Sequence, residues 1–136
     1  MLIIREDQMK VFRRAAREDF VRRMISFLHQ NFAHVVPAPD VARIERELEA
    51  ARRFGLTRED DLRDYLSLSM VYGENFISRP EQLWMKVILS DSMVPDPHQR
   101  MHRLYAAAIV RLQQAEASAA ARAAFDLVSP PLGEQS

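Results

Sequence analysis

Phe54-Gly55-Leu56-Thr57-Arg58-Glu59-Asp60-Asp61-Leu62 is the stretch on which the reading of the fold turns. Gly55 stands where one helix needs a left-handed C-terminal cap. Thr57 is placed to cap the next, and Glu59, Asp60 and Asp61 fall in its first turn, where the helix dipole favours negative charge. Leu56, just before the cap, can staple against an apolar residue inside. A stop, a short polar link and a start within nine residues predict two helices packed as neighbours.

Upstream, Val41, Ile44, Leu48 and Ala51 form an apolar stripe on a helix predicted from Val41 to about Phe54, with Asp40 as its N-cap. Pro37 and Pro39 break the chain before it. Earlier still, Met9, Phe12, Ala16, Phe20, Met24, Phe27 and Leu28 step by threes and fours, predicting one long helix from about Glu6 to Phe32. Val21 and Ile25 widen its stripe. Downstream, Leu62, Tyr65, Leu66, Ser69 and Met70 continue the third helix to Gly73. A loop from Glu74 to Pro80 follows, then a short helix from about Glu81 to Leu89 with Leu83, Trp84, Val87 and Ile88 facing inward. Asp96 and Pro97 open the last helix, which reaches about Leu127 with Met101, Leu104, Tyr105, Ala108, Ile109 and Leu112 on its apolar side. Gln113 to Ala124 is a good helix former with almost nothing large to bury. Ser129 to Ser136, with Pro130, Pro131 and Gly133, reads as a flexible tail.

The expectation is an all-α, single-domain irregular bundle of about five helices over residues 1–128, with a tail at 129–136. The first and last long helices are expected to run against each other. Composition agrees: three glycines in 136 residues leave little of the turn chemistry of a sheet protein.

Composition also removes functions. Nineteen basic residues balance nineteen acidic ones, which counts against a dedicated nucleic-acid or anionic-membrane binder. With no cysteine there is no disulfide, thiolate metal site or cysteine nucleophile. No apolar run approaches the roughly 20 residues that span a bilayer. The start, Met-Leu-Ile-Ile-Arg-Glu-Asp, is too briefly apolar for a secretory signal, so the cytoplasm is the expected location. Phosphate-cradling glycine loops, nucleophile elbows and nucleotide fingerprints are absent. The chain reads as no enzyme, with no cofactor.

Ala51-Arg52-Arg53-Phe54-Gly55-Leu56-Thr57 and the capped helix after it, Tyr72-Gly73-Glu74-Asn75-Phe76 followed by Pro80 and Leu83-Trp84, Ile88-Leu89-Ser90-Asp91, and Arg103-Leu104-Tyr105 together resemble a family of short helical bacterial proteins encoded beside type VI secretion spike and effector genes. The resemblance covers about residues 5–112 and rests on packing and capping patterns. It implies a cytoplasmic accessory role (effector adaptor, chaperone or immunity protein), with another protein, such as a secreted effector or spike component, as partner. Ile77, Arg79 and Gln82 depart from the family pattern, which has Asp, Asp and Pro there.

Residues that could carry recognition or chemistry are few. Tyr72, Phe76, Trp84 and Met85 cluster in sequence around the Gly73–Leu89 turn, and aromatics with Met are enriched where partners bind. Arg13 and Arg17, with Arg14, Arg22 and Arg23, make a basic face on the first helix that could meet an acidic protein patch or phosphate. A small nucleic-acid-binding regulator using that face is the alternative function, and self-association is a further partner reading. His98 and His102, four apart, could face one metal with Asp96 or Asp91 as a third ligand. The readings set against these are solvent-exposed histidines for that pair, a dipole role for His29, and helix-start charge for Glu59, Asp60, Asp61 and Asp64.

Overall fold

The computed structural model describes residues 5–128. Its elements are α1 (Glu6–Asn31), α2 (Val41–Arg53), α3 (Glu59–Tyr72), two 3-10 turns (Phe76–Ser78 and Pro80–Gln82), α4 (Leu83–Leu89) and α5 (Pro97–Val128), with no strand among the described residues. The fold is all-α. The tail at 129–136 lies outside the described residues.

Local chemistry sets most of the boundaries. The Asp40 carboxylate accepts the Arg43 N–H at 2.8 Å and caps α2. Gly55 has φ +85°, and a Cβ there would come within 3.0 Å of Pro97 Cγ, so glycine is required twice over. Gly73, at φ +100°, ends α3 and donates its N–H to the Ser69 carbonyl. Asp96 accepts the His98 N–H at 3.0 Å, with Pro97 at the first helical position of α5. Thr57 does not cap α3. The helix starts at Glu59, the Asp61 N–H is taken by the Asp60 carboxylate at 2.9 Å, and Arg58 grips that carboxylate at 3.0 and 3.1 Å. The acidic first turn thus supplies what the threonine was expected to supply.

Helix α3 is the hub. From Tyr65 to Met70 every residue is buried, as in a helix covered on all sides. It packs against α1, α2 and α5, while α4 packs on α5. Helices α1 and α5 do not touch, contrary to expectation, because α3 stands between them. Phe20, Met24 and Leu28 reach the core from α1; Ile44, Leu48 and Ala51 from α2; Met85 and Leu89 from α4; Met101, Leu104 and Ala108 from α5. Tyr65 and Phe76 meet at the centre with ring centroids 4.9 Å apart.

Cross-helix contacts fix the directions. Arg23 bonds Glu59 at 3.0 Å and Arg63 lies over the Phe27 ring, so α1 and α3 run the same way. His98 bonds Asp61, and the Arg111 charge bears on Tyr72, so α5 runs that way too. Glu6 to Asp19 of α1 and Gln113 to Leu127 of α5 are exposed throughout. Each is about 21 Å or more of helix. The α1 arm leaves the body where α3 begins, and the α5 arm leaves where α3 ends.

Candidate interaction surface

The recognition residues read from the sequence divide between core and surface. Phe76 and Met85 are fully buried and give no surface to a partner; they close the core under the 3-10 turns. Tyr72 and Trp84 are half-buried. The Arg111 guanidinium covers Trp84 at 3.9 Å from the ring centroid, a cation–π contact at the root of the α5 arm. Burial, the larger cause, pushes the Tyr72 phenol up, and the same Arg111 opposes it. Leu83 and Val87, expected inward, are 61% and 60% exposed and stand one turn apart on the outside of α4. In this seven-residue helix Met85 and Leu89 take the core side instead. Of the four side chains expected inward on α4, Trp84 and Ile88 do pack against the core, and Leu83 and Val87 do not.

Arg13 and Arg17 lie on the α1 arm, exposed and without an ion-pair partner among the described residues. Beside them Val11 is 67% and Phe12 63% exposed. The arm therefore shows water both an apolar and a cationic face. The α5 arm shows Phe125 and Leu127 in an otherwise small, polar surface.

His98 is tied to α3, and it lines one shallow depression together with His102. Its Nδ1 is 2.8 and 3.0 Å from the two carboxylate oxygens of the buried Asp61, a clamp between α5 and α3. Asp60, Asp61 and His98 present donor atoms within 4.8 Å of one another. The Arg58 guanidinium holds both oxygens of Asp60, so a cation already occupies that side. Asp96 and Asp91 are spent on the turns before α5, accepting the His98 and Met93 N–H groups. Asp64, half-buried near Asp60 and Asp61, has its carboxyl pushed up, first by burial. The Asp61–His98 pair had no sequence signal, since 37 positions separate its members. His29 ties the end of α1 to the Pro39 carbonyl at 3.1 Å.

A depression of about 570 Å³ lies between α2 and the turn after α3. Its charges satisfy one another: Arg46 pairs with Glu74, Arg79 donates to the Glu74 carbonyl, and Glu49 stands 3.9 Å from Arg53. Glu47, buried beneath, accepts the Asn75 N–H at 2.9 Å and pins the turn. Its charge, second to burial, raises the Tyr65 phenol.

The chain matches no family model, no curated protein and no solved structure. No helix among the described residues is long and apolar enough to cross a membrane.

Proposed function

We propose that this chain is a non-catalytic protein-interaction module, a cytoplasmic accessory factor of a bacterial type VI secretion system that acts as effector adaptor, chaperone or immunity protein. The observation that carries the reading is the pair of uncovered helical arms leaving opposite ends of a small body, one with Val11 and Phe12 exposed and the other with Phe125 and Leu127. Exposed helix faces of this kind are what helix-in-groove recognition uses, and two at opposite ends suit a protein that bridges others. The resemblance of residues 5–112 to proteins encoded beside spike and effector genes supplies the biological setting.

Affinity capture of the tagged full chain from its host lysate tests the reading. A stoichiometric toxin or spike component is expected, lost when Phe125 and Leu127 are both replaced by serine. Recovery of the chain alone, even at low salt, counts against it. A nucleic-acid regulator is the competing reading, favoured by the row of Lys10, Arg13, Arg14 and Arg17 on the α1 arm. A salt-dependent gel shift would support that alternative, since phosphate contacts weaken steeply as salt rises.

A further inference from the structure

We propose that the depression between α2 and the turn after α3 is a binding site for free L-lysine, with the side-chain ammonium on Glu47 and the carboxylate on Arg79. At the rim the charges pair, Arg46 with Glu74 and Arg53 loosely with Glu49. Two charged groups that line the same depression are left over. Glu47 and Arg79 have no ion-pair partner among the described residues. Glu47 is only 3% exposed, and its Oε2 has no hydrogen-bond partner among the described residues. Such an oxygen is costly, because folding has removed its water and returned no donor. The Tyr65 hydroxyl, fully buried and near enough for the Glu47 charge to act on it, is without a partner too. An ammonium at Oε2 brings three donors to this corner.

One peptide unit sets the distance between the leftover charges. The Asn75 N–H donates to Glu47 Oε1 at 2.9 Å, and the Glu74 carbonyl accepts from Arg79 Nη2 at 2.8 Å. These two backbone groups belong to the same trans peptide and point opposite ways. The carboxylate and the guanidinium therefore stand roughly 7 Å apart. The guanidinium is seated on Gly73, where a Cβ would lie 3.0 Å from its Nη2, so packing fixes its place. A complementary molecule carries a cation and an anion at a similar separation. Extended lysine does, with about 7.5 Å from Nζ to its carboxylate carbon. With Oε1 taken by Asn75, Glu47 offers a single oxygen. That suits the compact ammonium of lysine better than a guanidinium, whose fork grips both oxygens of a carboxylate. Ala50 gives the methylenes an apolar wall. The α-ammonium has Glu49 and the second oxygen of Glu74, which Arg46 does not use. A depression of about 570 Å³ has room for the whole molecule.

No residue of this site lies on a helical arm, so it stands or falls apart from the interaction reading. Calorimetric titration of the purified full chain with L-lysine should show one saturable site. ε-Aminocaproate keeps both charged ends and their spacing, and should bind within tenfold of lysine. Norleucine lacks the side-chain ammonium and cadaverine lacks the carboxylate, so each should bind at least tenfold more weakly. Cadaverine also stands for a lysine side chain within a polypeptide. Arg79 is exposed, so Arg79→Gln leaves the core alone. That variant should bind lysine at least tenfold more weakly and cadaverine as before. Glu47→Gln keeps an acceptor for the Asn75 N–H and should weaken both. If Glu47→Gln unfolds, the two titrations of Arg79→Gln decide alone. Lysine binding unchanged by Arg79→Gln, or cadaverine as tight as lysine, overturns the proposal. So does the absence of lysine binding at about 10 mM, which would mean that water alone serves Glu47.

Discussion

Leu104 and Phe125 are large apolar residues on one helix, yet Leu104 is fully buried and Phe125 is 64% exposed. Twenty-one positions separate them, and what differs is the company α5 keeps. At Leu104 it is packed between α3 and α4; at Phe125 it has left the body. The same division runs through α1 between Leu28 and Phe12. Burial here belongs to the neighbourhood rather than to the residue. A helix already nucleated in the body extends at little cost, so the arms need no packing of their own to be helical. Their apolar side chains are free for something else.

The sharpest way to break this comparison is to truncate the same kind of side chain in both regions. Leu104→Ala leaves a hole among α3, α4 and α5 and should cost about 3 kcal/mol, within the range of roughly 2–5 for buried leucine. Phe125→Ala should change stability by less than about 0.5 kcal/mol. Urea unfolding of the two variants decides it. Equal losses would mean that the α5 arm is covered in solution.

The Asp61–His98 clamp comes next in size. Asp61→Ala removes a buried acceptor but leaves His98 near the surface, where water can take over Nδ1. The loss should be about 1–2 kcal/mol, below that for breaking a fully buried pair. A His98→Ala variant should lose at least as much, because it strands the buried carboxylate. The double variant should lose less than the sum of the two if the clamp is one unit.

The division between body and arms also marks how much of the molecule was legible in the sequence. Boundaries set by one or two residues were readable: Asp40, Gly55, Gly73 and the Asp96–Pro97 pair all act over a single turn. Thr57 failed because the helix starts two residues later, at Glu59, where the Asp60 carboxylate takes the Asp61 N–H. The tertiary contacts were not readable. The apolar content of Tyr65–Met70 could have marked α3 as the hub, since only serines interrupt it, and a hub there keeps α1 and α5 apart. Met9 to Leu28 read as one stripe and largely are one: at about 100° per residue Met9 and Phe27 point the same way, and the first part of the stripe is exposed because no other helix among the described residues packs against it. Phe76 and Met85 looked like recognition residues by type, and only the packing of the 3-10 turns on α4 shows them to be core. Arg13 and Arg17 lie within about 20° of the direction of Met24, so they are exposed because α1 has left the body and not because they sit on its outer face.

The smallest effect is the most discriminating, because the same substitution is made in both regions. Ala51 is fully buried in α2, and Ala119 lies on the α5 arm. Glycine in a helix interior costs about 1 kcal/mol relative to alanine. At Ala51 the helix and the fold stand or fall together, so Ala51→Gly should lower the global unfolding free energy by at least that much. At Ala119 the penalty is local. The arm can fray beyond the substitution while the body stays folded, so global stability should move by less than about 0.5 kcal/mol. Amide hydrogen exchange should then speed up several-fold from Ala119 onward and stay unchanged in α3. A full global loss from Ala119→Gly would show the arm folding as part of the body, and that would require a contact beyond those made among the described residues.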